Sequence, residues 1–165
     1  MSTESNIAQT RLEDLINAIG SRQVSPGAGA AGAVTLALAA ACTAKAVAIS
    51  LEHQPGQAVL RRSQLTLESI ARFALAVADR DAEAFAAFIK EHTSRAITQV
   101  IREGDRNGRL IAVLSEVIEQ VAPHIESNMS GDLLAARALT QAAHTIQAAN
   151  SSEARDEKAL LHAKS

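Results

Sequence analysis

The chain has no tryptophan, no tyrosine and only three phenylalanines in 165 residues. Single-stranded nucleic acids are held on stacked aromatic side chains, so this composition argues against that class of partner. An excess of positive charge is also missing. Sixteen Lys and Arg stand against eighteen Asp and Glu, a net charge of −2, with the two signs mixed along the chain. That leaves no basic footprint for nucleic acid. The single cysteine, Cys42, excludes an intramolecular disulfide, and its place inside an apolar run reads as an inert core residue. The five histidines, His53, His92, His124, His144 and His162, show no H-x-x-x-H or H-E-x-x-H spacing, so no metal site is expected. No G-x-S-x-G elbow and no G-x-x-x-x-G-K-[ST] phosphate loop occur. The polar start Met1–Ser5 lacks the basic region of a signal peptide, so a cytoplasmic protein is expected.

What the chain has is alanine. From Val24 to Leu51 a Ser-Pro-Gly-Ala-Gly turn enters a run of Ala, Val, Leu, Gly and Ile with no charge between Gly27 and Lys45. Ala is the best helix former, and a helix apolar on every side is expected to be buried on every side. The run is long enough to span a membrane. Ala and Gly are only weakly apolar, however, Lys45 interrupts it, and no aromatic or basic anchors flank it. It reads instead as the central post of an all-α domain of about five helices. With so few aromatics the core must come from close helix contacts, and a core this thin points to a homodimer. The turn at Pro26, Gly27 and Gly29 puts free N–H groups and a positive dipole end at the start of this helix, which suits an anion or a polar ligand edge. Close packing alone is the other use for those glycines.

The rest of the chain is read by periodicity. Ile7 to Ile19 is an amphipathic helix stopped by Gly20, and Glu52–Gly56 breaks the central helix. A third helix, or a kinked pair, is expected from Gln57 to Arg102. A polar turn follows at Glu103–Arg109, then a helix from Leu110 to Val121 ended by Pro123, and a loop from His124 to Ser130. The last helix runs from Asp132 to Asn150. Residues 1–150 thus form one helical domain, and Ser151–Ser165 is a charged tail expected to fray. Within the third helix, Leu67, Ile70, Ala74, Val77, Ala84, Phe85 and Phe88 share one stripe, and Asp81 falls on it. A lone carboxylate on a buried face needs a reason. It is a structural ion pair, a helix cap, or a group facing a pocket with a tunable pKa.

These pieces resemble the formiminotransferase-cyclodeaminase C-terminal family, which includes stand-alone methenyltetrahydrofolate cyclohydrolases. The family's Pro-Gly-Gly-Gly-Ser turn before an Ala-rich helix reads here Pro26-Gly27-Ala28-Gly29-Ala30. Its D-x-D-A-x-A-F segment reads Asp79-Arg80-Asp81-Ala82-Glu83-Ala84-Phe85. Its late Asn…Ser-Asp segment before a final helix ending near an Asn is similar to Asn128-Met129-Ser130-Gly131-Asp132 and Asn150. Departures are Ala28 and Ala30 in place of Gly and Ser, the missing Gly-Lys-Lys-x-x-Tyr and Leu-Pro-Lys segments, and a shortened stretch from Glu91 to Asp132.

The resemblance implies a folate-pocket enzyme with no metal or bound cofactor, acting on a tetrahydrofolate one-carbon adduct. The reaction would be hydrolysis of 5,10-methenyltetrahydrofolate or cyclising deamination of 5-formiminotetrahydrofolate. It implies Asp81 as the acid–base carboxylate, with Asp132 second. Pro26, Gly27 and Gly29 would shape the pterin pocket, and Asn128 and Ser130 would bond the pterin or a neighbouring subunit. Arg61, Arg62 and Lys45 are the candidates for a glutamate tail. A scaffold that kept the fold and lost the chemistry, binding a ligand or partner, is the alternative. A helical bundle with Asp81 in a structural ion pair is the third.

Overall fold

The computed structural model describes residues 6–163. The Met1–Ser5 segment, on which the expectation about a signal peptide rests, lies outside them. Among the described residues there is no strand. The chain forms helices α1 (Leu12–Ile19), α2 (Ala28–His53), α3 (Ala58–Glu91), α4 (Ser94–Val121) and α5 (Ser130–Ala163), with single 3-10 turns at Ile7–Gln9, Ala122–His124 and Ser127–Met129. The all-α, five-helix expectation holds.

The four long helices make an antiparallel ring. Helix α2 packs on α3 and α5, and α4 closes the ring from the opposite corner. Leu36, Leu60, Leu67, Leu114, Ile118 and Val121 are fully or almost fully buried at its centre. Each such side chain contributes about 1.5–3 kcal/mol by leaving water. Small residues let α2 approach its neighbours. A Cβ on Gly32 would meet Ile146 Cγ2 of α5 at 2.9 Å, so only glycine fits there without a shift. By length and composition α2 is the one helix among the described residues that would reach across a membrane. Its place in the ring accounts for its apolar run, since Ala33, Leu36, Ala39, Ala40 and Val47 carry no exposed surface. The expectation of burial on every side is corrected, because Leu38, Ala41 and Lys45 face outward.

Four further expectations change. The first helix is shorter than Ile7–Ile19. Ile7 sits in a separate turn and donates its N–H to Asp79 Oδ1 at 2.5 Å, which ties the start of the chain to α3. Of the apolar face of α1 only Leu15 is buried, while Leu12 is 67% exposed. The kinked pair from Gln57 to Arg102 is a hairpin. His92 ends α3 in the left-handed region at φ 48°, which histidine tolerates better than most side chains, and Thr93 caps α4 by accepting the Ala96 N–H at 3.2 Å.

The polar turn at Glu103–Arg109 does not exist, for these residues lie inside α4. A polar run need not break a helix when its groups pair laterally, and here Glu103 bonds Arg80 of α3 while Asn107 Nδ2 donates to Gln147 of α5 at 3.2 Å. The tail after Asn150 is not frayed over the described residues. Helix α5 continues through it to Ala163, held by Ala154, which is buried with Phe88, Ala96 and Ile97.

Candidate functional site

The four helices are not equally long at one end of the ring. Helix α2 begins beside Asp81 of α3, and α3 runs on for ten residues, or about 15 Å, past that point. Helices α4 and α5 accompany it. The corner that α2 would fill is therefore vacant, and it forms a cleft of about 470 Å³. Gly27, Ala28 and Gly29 form its floor. Asp81, Phe85 and Phe88 line the α3 wall, with His92 at the far end. Ile97 and Val100 come from α4, and Asn150, Glu153 and Glu157 from α5. Two of the chain's three phenylalanines are spent on this one cleft.

The floor is a helix N-terminus. Gly27 is its N-cap and has no side chain to offer, and the first intrahelical bond is Ala31 N–H to Gly27 O. The N–H groups of Ala28, Gly29 and Ala30 have no acceptor within the helix, and they carry the positive end of its dipole. Asp81 reaches across from α3 to accept the Ala30 N–H. It can do so only because residue 29 is glycine, since a Cβ there would fall on the carboxylate, 2.6 Å from Cγ.

Three effects set the proton affinity of Asp81. Burial disfavours the charged form and is the largest. The negative charge of Glu103 acts the same way, and the Ala30 N–H opposes both. The result is a pKa raised from 3.8 to about 6. No cation compensates, for Asp81 takes part in none of the ion pairs among the described residues. A structural salt bridge therefore does not explain its burial. Asp81 is instead a cap supplied from another helix, and it also faces the cleft.

Neighbouring residues hold this arrangement in place. Asp79 is occupied by the Ile7 N–H, so the first aspartate of the D-x-D segment is structural. Ser25 Oγ donates to Ala82 O at 2.8 Å, which ties the turn before α2 to α3 one residue after Asp81. Pro26 is half-buried in that turn, while Gly27 and Gly29 line the cleft itself.

The remaining sequence candidates are elsewhere. Asp132 precedes Asn150 by eighteen residues of the same helix, about 27 Å along its axis, and accepts from Lys45 Nζ at 3.0 Å. In the first turn of α5 it sits where a carboxylate favours the helix dipole. Asn128 and Ser130 are exposed at that same end, and so are Arg61 and Arg62 at the start of α3. Within one chain none of these joins Asp81.

Conversely, Glu103, His92, Glu153 and Glu157 were not foreseen. For Glu103 a signal existed. Ala96, Val100, Glu103, Asn107, Ile111 and Leu114 recur at helical spacing, so the supposed turn continues the apolar stripe of α4.

The order of these features along the chain is matched by one family. The profile described as formiminotransferase-cyclodeaminase matches residues 11–157. The chain belongs to this family. Among solved structures, the crystal structure of formiminotetrahydrofolate cyclodeaminase from Thermotoga maritima superposes with a TM-score of 0.83. It is 20% identical and covers 92% of this chain and 81% of its own. At that identity the likeness is one of fold, and function has to be argued from the site. A search of curated proteins finds no match. The cyclodeaminase match ends at Glu157, so it includes the α5 segment that forms one wall of the cleft.

Proposed function

We propose that this cyclodeaminase-family protein acts on a tetrahydrofolate one-carbon adduct bound in the cleft, with Asp81 moving the protons. The observation that carries the reading is a half-buried carboxylate, in no ion pair among the described residues, lining an apolar cleft with a pKa near 6. Such a group is ionised at neutral pH yet close enough in proton affinity to give the proton back.

In methenyltetrahydrofolate hydrolysis, water adds to the cationic carbon between N5 and N10. Asp81 takes the proton that water loses. The tetrahedral carbon then releases N5, which receives a proton, and 10-formyltetrahydrofolate forms. In cyclising deamination, N10 attacks the formimino carbon, Asp81 accepts the N10 proton, and ammonia leaves protonated. Both routes begin from a cation, and Asp81, Glu153 and Glu157 give the cleft walls a negative character that favours one. Phe85 and Phe88 supply apolar surface for a pterin. Gly27 and Gly29 shape the floor, with Pro26 directing the chain into it. The step as drawn uses only substrate, water and Asp81, so no cofactor is proposed. Asp132 has no part in it within one chain.

The test is loss of the near-ultraviolet absorbance of 5,10-methenyltetrahydrofolate on adding protein, with ammonia release from 5-formiminotetrahydrofolate measured in parallel. Protein-dependent loss in either assay is expected. Loss in neither, with folate still raising the melting temperature, would favour a scaffold that kept the pocket and dropped the reaction. The replacement of the family's Ser by Ala30 and the missing lysine-rich segments would then be the reason.

We further propose a homodimer through the outward face of α2. Leu38 is 53% exposed there, and α1 lies over the α2–α3 seam with Leu12, Ile16 and Ile19 outward. Two copies packed across antiparallel α2 helices would bring the Asn128–Asp132 end of one beside the cleft of the other. The third family motif would then reach the site from the partner side. Sedimentation equilibrium is expected to give twice the chain mass, and Leu38→Glu is expected to give the monomer. A monomeric wild-type protein would overturn this proposal.

A further inference from the structure

A second carboxylate pairs with Arg80, the residue before Asp81. Glu103 of α4 has no exposed surface. It accepts from Arg80 Nε at 3.0 Å and from Gln99 Nε2 at 2.7 Å, and it pairs with the Arg106 guanidinium. Arg80 immediately precedes Asp81 in α3, so this cluster and the cleft wall share one peptide unit. Two guanidinium groups and an amide satisfy the Glu103 carboxylate. Their own charges are turned partly to solvent, where water screens them, while the carboxylate between them is sealed in the α3–α4 interface. A paired, buried carboxylate is thus joined through Arg80 to the residue that faces the cleft. Environments that separate two carboxylates in this way divide an acid–base role from an electrostatic one.

We propose that Glu103 is a positioning residue for the chemistry of the cleft, its buried charge setting through space the protonation state of Asp81 without touching the ligand. This rests on the reading of Asp81 as the proton carrier. The other groups facing Asp81 are accounted for. From α2 it meets the N–H groups of the first turn, and from α3 its neighbours Asp79, bonded to Ile7, and Arg80, bonded to Glu103. From α5, Asn150, Glu153 and Glu157 line the same cleft, and His92 lies at its far end. Among these carboxylates Glu103 alone has no exposed surface.

The test reads Asp81 directly, by carbon NMR of labelled aspartate carboxyl groups across a pH titration, beside the pH dependence of kcat/KM. Glu103→Gln keeps the size and most of the hydrogen bonds and removes the charge. It is expected to move the Asp81 titration, and the acid limb of the rate profile, down by roughly one pH unit. Arg106→Gln removes a positive charge from the same cluster and is expected to move both up. Arg106 is part-exposed, so this variant carries the test if Glu103→Gln fails to fold. Opposite shifts support the proposal, as does an upward shift in Arg106→Gln where Glu103→Gln does not fold; a folded Glu103→Gln with an unmoved Asp81 titration overturns it. An Asp81 titration that stays put in Arg106→Gln, or moves down in it, overturns the proposal. If the carboxyl titration shifts as expected and no folate turns over, Glu103 keeps its role and the folate reading fails instead.

Discussion

Asp81→Asn is expected to abolish turnover and, at pH 7, to raise the thermal stability of the protein. General acid–base groups contribute about 10²–10⁴ in rate, and a loss in that range is expected here. The stability change follows from the direction of the pKa shift. In the folded protein Asp81 titrates near 6, above its ordinary 3.8. The stability linked to its protonated form is fully present below about 3.8 and is lost as the pH rises through about 6. At pH 7 the wild-type protein therefore holds an ionised carboxylate in a site that disfavours it. Asparagine removes that burden, and its side-chain oxygen can still accept the Ala30 N–H. The gain is on the order of 1–2 kcal/mol, a few degrees in melting temperature, once partial solvent screening is allowed for. Calorimetry at pH 7 and pH 4 checks it, since the difference between variant and wild type should shrink at the lower pH. A variant that melts lower than wild type at pH 7 would make Asp81 chiefly structural.

Gly29→Ala is expected to have the second-largest effect, a fall in kcat of about 100-fold, because misplacing a reacting group by an ångström costs that much. Here the new Cβ would occupy the position of the Asp81 carboxyl group, which would have to swing away from the Ala30 N–H. Stability should change less than activity, because alanine gains about 1 kcal/mol of helix propensity over glycine and this offsets part of the displacement. Gly108→Ala in α4 is the control. No atom lies within 4 Å of a Cβ built there, so it should gain the propensity and keep the rate. Equal rates in the two variants would mean that Asp81 needs no fixed place on the floor of the cleft.

Much of the fold was legible because alanine and periodicity speak locally. The α2 run, its break at Glu52–Gly56 and the stripe that carries Asp81 were all readable from spacing. Two of the errors share one cause, for polarity was taken as a sign of surface. Glu103 and Asn107 looked like a turn because their partners, Arg80 and Gln147, are 23 and 40 residues away. The segment after Asn150 looked like a tail because the phenylalanine that covers Ala154 belongs to α3. The site divided in the same way. Asp81, Gly27 and Gly29 were found because helix geometry and the turn pointed at them. Which motifs share a cleft depends on relative helix lengths, and spacing does not report those. Asp132, Asn128 and Ser130 follow the family's order in sequence but lie at the opposite end of α5 in space. His92, Glu153 and Glu157 line the cleft only because α3 and α5 extend beyond α2.

The central claim is that one desolvated carboxylate at the start of α2 does the proton transfer. The most direct test is the pH dependence of kcat/KM for the wild-type protein with 5,10-methenyltetrahydrofolate, corrected for the spontaneous reaction. The account predicts a rate that rises with pH through an inflection near 6, where Asp81 loses its proton, and that is about 10²–10⁴ lower in Asp81→Asn, with that inflection gone. A rate that is flat between pH 5 and 8, or one that stays near the wild-type value in Asp81→Asn, would contradict it.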